Sequence, residues 1–86
     1  MQKEAKILYN AVANVIAQQK EIKGVKYTEI CYENDVATST YDDIINSKTK
    51  ASFYNIAKII RGLGLSFEEF GKLLDKELDG NFEFFE

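Results

Sequence analysis

Proline, histidine and tryptophan are absent from this 86-residue chain, and cysteine occurs once, at Cys31. A lone cysteine forms no intrachain disulfide, so the fold must rest on packing, as it does in the reducing cytoplasm where we expect this protein to work. With one thiol and no imidazole, neither a thiolate nor a histidine metal cluster can be assembled, and we expect no metal and no cofactor. No segment approaches the ~18 consecutive apolar residues of a membrane span. Lys3, Glu4 and Lys6 stand before only a short apolar run, so neither signal peptide nor membrane anchor is expected. The paired acids Asp42-Asp43 and Glu68-Glu69 lack an accompanying histidine or nucleophile, and neighbours on a helix point about 100° apart. They read as surface and helix N-terminal charges, so an enzyme with a small-molecule substrate is not expected.

Positive charge is scarce in one place only. The net charge is −3, but residues 1–65 hold nine Lys/Arg against seven Asp/Glu, or +2, and residues 66–86 hold two against seven, or −5. A weakly basic surface is therefore available to the first part, and acidity belongs to the C-terminal end. A length of 86 residues with 45% hydrophobic content makes one domain, because two cores would each fall below the roughly 40 residues at which chains need staples.

What is present is helical periodicity. Leu8, Ala11, Val12, Val15 and Ile16 share a face and predict a helix over residues 4–19, with residues 20–24 as a charged connector ending in Gly24. Ile30 and Cys31 point inward from a short helix at 26–33, after which Asn34 and Asp35 suit a tight reversal and Val36 a buried plug. Residues 37–40 offer hydroxyls to cap a third helix at 38–46, whose Tyr41, Ile44 and Ile45 face inward. Ser52 caps a fourth at 52–62, closed by Gly62 and Gly64. Ser66 and Glu69 form a capping box for a fifth at 66–78, built on Phe67, Phe70, Leu73, Leu74 and Leu78 and stopped by Gly80. The expected core is Val12, Ile16, Val25, Ile30, Val36, Tyr41, Ile44, Phe53, Ile56, Ile60, Leu65, Phe70 and Leu74. Cys31 occupies a small apolar position, where it behaves as a hydrophobe. The fold class is all-α: a five-helix domain over residues 1–79 with a short aromatic tail at 80–86.

Two short helices joined by a tight turn and enclosed by longer ones form a helix-turn-helix. From Gly24 to Lys50 the chain reads GVKYTEICYENDVATSTYDDIINSKTK. This segment resembles the Cro and phage-repressor family in Gly24-Val25, Ile30-Cys31, Asp35-Val36 and Asn46-Ser47-Lys48, without a gap. Residues 53–70 are similar to that family's fourth helix and the junction into its fifth. The resemblance covers residues from about 6 to 78 and implies a lambda-repressor-like DNA-binding bundle. Against the family pattern, the segment before Gly24 is about three residues longer and Lys26 replaces a capping threonine. Ile45 stands where an acid usually meets an arginine of helix one; the facing part of that helix offers Ala13 and Ala17.

The resemblance places Thr38, Ser39 and Asp43 at base edges, with Thr40 and Asp42 nearby. Hydroxyls can contact any base, and a carboxylate can accept from cytosine N4. It also places Tyr27, Thr28, Asn46, Lys48 and Lys50 at the phosphate backbone, where contacts set affinity rather than sequence. The implied function is a sequence-specific transcriptional regulator, a repressor occupying operator DNA. A homodimer is expected through helix five and the tail, where Phe82, Phe84 and Phe85 stand among acids; a fold-back of these rings onto their own domain is the other reading. The alternative function is a protein-interaction module, an antirepressor or assembly factor, that keeps the fold without specific DNA binding.

Overall fold

The computed structural model describes residues 3–47 and 52–79. Among them lie five α-helices and no strand: α1 (Lys3–Lys23), α2 (Tyr27–Glu33), α3 (Thr38–Ile45), α4 (Phe53–Gly62) and α5 (Phe67–Leu78). All five expected helices are there, and the largest boundary difference is at the end of α1. Residues 20–23, expected as a connector, are its last turn. Gly24 ends it with φ 66°, its N–H donating to the Lys20 and Glu21 carbonyls. No helix among the described residues is long and apolar enough to cross a membrane.

The caps follow residue chemistry where a hydroxyl precedes the helix. Ser52 accepts from the Asn55 N–H at 3.1 Å. In the box at α5, Ser66 Oγ accepts from the Glu69 N–H at 3.1 Å and Glu69 Oε1 from the Ser66 N–H at 2.9 Å. The hydroxyls at 38–40 do not cap α3 as expected: its N-cap is Ala37, and they fall inside the helix, with no side-chain cap. Lys26 likewise leaves α2 uncapped. At the end of α5, Asp79 adopts the left-handed conformation expected of a glycine, φ 45°; Gly80 lies outside the described residues.

α1 packs on α5 and α3, α2 on α4 and α3, and α4 on α5. Their shared core is Val12, Val15, Ile16, Ile30, Cys31, Val36, Tyr41, Ile44, Ile56, Ile59, Ile60, Leu63 and Phe70, with Val25, Ile45, Leu65 and Leu74 half-buried against it. Burial pushes the Cys31 thiol pKa up, as befits a core side chain. One expected core residue is neither in it nor packed against it: Phe53 is 71% exposed. It shares the stripe of Ile56 and Ile60 but sits on the first turn of α4. There its ring stacks on the equally peripheral Phe67, centroids 5.8 Å apart.

Gly62 is where α4 meets α2 most closely. A Cβ there would come within 2.6 Å of Asn34 Nδ2 and 2.9 Å of Ile30 Cγ2. Asn34 is held in place by donating to the Ile30 carbonyl at 2.9 Å, and Ile30 is fully buried. Neither neighbour can yield cheaply. Alanine normally improves a helix interior over glycine by up to ~1 kcal/mol. Gly71→Ala, with nothing within 4 Å of the new methyl, should stabilise by about 0.5–1 kcal/mol. Gly62→Ala should instead destabilise by about 1–3 kcal/mol through overpacking. Urea midpoints of the two variants check this; equal shifts would show that α2 and α4 are not in close contact.

The capping box also carries a pH signature. The bond from the Ser66 N–H lowers the Glu69 carboxyl below its ordinary pKa of 4.5. A carboxyl lowered by folding stabilises above its unfolded pKa, and that stability is lost as pH falls through the folded value. Acid titration of the urea midpoint below pH 4.5 should therefore fall less steeply in Glu69→Gln than in the parent chain.

Candidate nucleic-acid interface

The turn between α2 and α3 is closed first by backbone. Asp35 takes φ 55°, and the Val36 N–H donates back to the Cys31 carbonyl at 2.9 Å. A left-handed residue after the helix with this bond is the Schellman arrangement, with Asp35 in the place glycine usually fills. Aspartate tolerates that region better than most residues. Val36 then drops into the core, 5% exposed, which pins the start of α3. From α4, Lys58 Nζ donates to the Asp35 carbonyl at 3.0 Å while lying 4.3 Å from the centre of the Tyr54 ring. Lys58 escaped the sequence reading. Its i, i+4 spacing from Tyr54 was visible, but its hold on Asp35 exists only in tertiary structure.

With Tyr41 and Ile44 buried, helical geometry turns Thr38, Ser39, Asp42 and Asn46 outward, and all four are exposed. Thr40 and Asp43 lie half-buried at the edge of this stripe. Thr38, Ser39 and Asp42 line an open hollow of about 370 Å³ with Tyr27, Tyr41 and Ile45. Asp42 lines that hollow, and Asp43, one position on, does not. Tyr27, expected at phosphate, stacks on Tyr41 with centroids 5.8 Å apart and keeps about half its surface exposed. Burial, and then the nearby Cys31, raise the Tyr41 phenol pKa. Thr28 is half-buried on α2.

Asn46 is occupied within its own helix. Its Nδ2 donates to the Asp42 carbonyl at 2.8 Å and to Asp42 Oδ1 at 3.3 Å, closing the end of α3. Lys48 and Lys50 lie outside the described residues. The unit from residue 26 to 46 holds Lys26 against Glu29, Glu33, Asp35, Asp42 and Asp43, a net −4. No group of three or more metal-ligating side chains gathers among the described residues. Ile45 lies half-buried beside the core that α1 and α3 share. An apolar side chain there avoids the desolvation cost of a buried charge.

Compared with protein-family models, curated proteins and solved structures, the chain matches none of them.

Lys58→Met keeps the apolar stem and removes the ammonium. It should cost about 0.5–1.5 kcal/mol, the worth of one hydrogen bond, and speed amide exchange across residues 35–41 more than in α5. Unchanged exchange at the turn would show that Lys58 does not hold it.

Proposed function

We propose that this chain is a helix-turn-helix DNA-binding protein, a transcriptional regulator that occupies operator sites as a pair of copies with α3 in the major groove. One observation carries the reading. The turn from α2 is so tightly closed, by Asp35 and the buried Val36, that α3 is held rigidly with Thr38, Ser39 and Asp42 on its outer face. A short, rigid helix showing small polar side chains at its N-terminal end is what base-edge reading requires, since those residues reach deepest into the groove. Hydroxyls are tolerant readers, and Asp42 or Asp43 adds a preference for cytosine N4 on the face α3 presents. The resemblance of residues 24–50 to the Cro and phage-repressor pattern supports the same assignment. Attraction to phosphate falls to Lys48 and Lys50, because α2 and α3 themselves repel it.

The second reading is a protein-interaction module, and the net −4 over residues 26–46 favours it. A face of that sign suits a basic protein better than a polyanion.

Titration of labelled duplexes at two salt concentrations separates the readings, because binding through phosphates weakens steeply with salt. With an operator obtained by selection from random sequence, Lys48→Ala and Lys50→Ala should weaken binding to all duplexes and flatten the salt dependence. Thr38→Ala and Ser39→Ala should lower preference for the selected site by about 1 kcal/mol or less each, below the ~1–3 kcal/mol of bidentate contacts. No duplex binding at low salt would remove the DNA reading in favour of the protein-interaction module.

A further inference from the structure

A groove of about 470 Å³ between α4 and the start of α5 is lined by Lys58 and Arg61, beside the exposed rings of Phe53, Tyr54 and Phe67, and by no carboxylate. The hollow of about 370 Å³ between α2 and α3 is its electrostatic opposite, with Asp42 as its charge and no cation in its lining. That lining mixes two chemistries. Its apolar share is Ile45, packed against the core, and Tyr27, held by stacking on Tyr41 with centroids 5.8 Å apart. Both side chains are anchored from behind, so together they make a fixed wall. Its polar share is Asp42 with the hydroxyls of Thr38 and Ser39. The Asn46 amide donates to Asp42 Oδ1 at 3.3 Å and steadies it, while a carboxylate keeps lone pairs for further donors.

Each base edge shows a different pattern in the major groove. Hydroxyls donate or accept and exclude nothing, so the carboxylate and the apolar wall decide. Guanine offers two acceptors, N7 and O6, which a carboxylate repels. Thymine offers a methyl for the wall but carries the O4 acceptor beside it. Adenine donates from N6, with the acceptor N7 next to it and nothing for the wall. Cytosine donates from N4 and leaves the wall facing a bare C5–H. A cytosine methylated at C5 supplies both the donor and the methyl, on adjacent ring atoms of one base.

We propose that the hollow between α2 and α3 reads 5-methylcytosine, its N4–H donating to Asp42 and its methyl seated against Tyr27 and Ile45. Binding to a site therefore strengthens when the cytosine facing the hollow is methylated. This inference rests on the DNA reading of the proposed function, and it makes Tyr27 a base-edge residue rather than a phosphate contact.

The test is titration of the full chain against the duplex selected from random sequence, with each cytosine replaced in turn by 5-methylcytosine and by thymine. At the cytosine facing the hollow, methylation should tighten binding about fourfold, the worth of one buried methyl. Thymine there should weaken it about tenfold or more. Tyr27→Ala should abolish the methyl gain and keep the preference for cytosine over thymine. Asp42→Asn should keep the methyl gain and lose that preference, because an amide both donates and accepts. Tyr27 and Asp42 are exposed, and circular dichroism establishes that each variant folds. The parent chain's response to methylation needs no variant, so a misfolded variant does not shield the proposal. Methylation that leaves affinity unchanged or lowers it at every cytosine would overturn it. So would thymine binding as tightly as cytosine at the responsive position, or a methyl gain that survives Tyr27→Ala. Duplex binding without a methyl response leaves the DNA reading standing, whereas no binding to any duplex removes both.

Discussion

At residue 62 the backbone of α4 lies so close to α2 that only a hydrogen atom fits between them, and the rest of the arrangement depends on that approach. It seats Ile59, Ile60 and Leu63 against Ile30 and Cys31, all almost fully buried. It also brings Lys58, one turn earlier on the same helix, within reach of the Asp35 carbonyl. The turn is thereby held from two sides, by Val36 in the core below and by an ammonium from α4. A bulkier residue at 62 would push α4 away from the turn it supports, and the orientation of α3 would go with it. Stability and the presentation of α3 are coupled through one van der Waals contact.

Electrostatics divides the molecule differently from packing. The helices that form the candidate interface are acidic, the lysines beyond α3 are basic, and the charged residues lining the groove between α4 and α5 are the cations Lys58 and Arg61. Rigid placement gives specificity, while long-range charge gives affinity and speed. An interface with well-held hydroxyls and little positive charge of its own would discriminate between sequences better than it would grip any of them. Such a surface gains from having two copies act together, since linking two weak contacts multiplies their effect without adding charge.

Much of this was legible because it is local. Helical period placed the five elements; Ser52, Ser66 and Glu69 announced their caps; Asn34 and Asp35 announced the reversal. Two local signals, at Phe53 and at the hydroxyls of residues 38–40, were overridden by tertiary structure. Phe53 lies on the apolar stripe of α4, yet no element covers the helix's first turn, so period alone misplaced it. Hydroxyls at 38–40 resembled caps, but Val36 had to reach the core, and that set the start of α3 at Thr38 and left Ala37 at the cap. Asp43 and Asp42 differ by one position, and only the rotation of α3 about its axis, dictated by Tyr41 and Ile44, decided which lines the hollow.

By itself, then, the amino-acid order determined an all-helical chain, a two-helix unit with its turn at Asn34 and Asp35, and a C-terminal region of opposite charge. These follow from side-chain period, capping chemistry and composition, which act within a few residues of one another. The tertiary structure alone decided that Gly62, at the end of α4, is also a contact point with α2 and that Lys58 braces the turn. It also decided that Phe53, Tyr54 and Phe67 form an exposed patch beside Arg61. Each of those joins residues far apart in sequence, so its outcome depends on how close two helices come, a distance that no stretch of sequence encodes on its own.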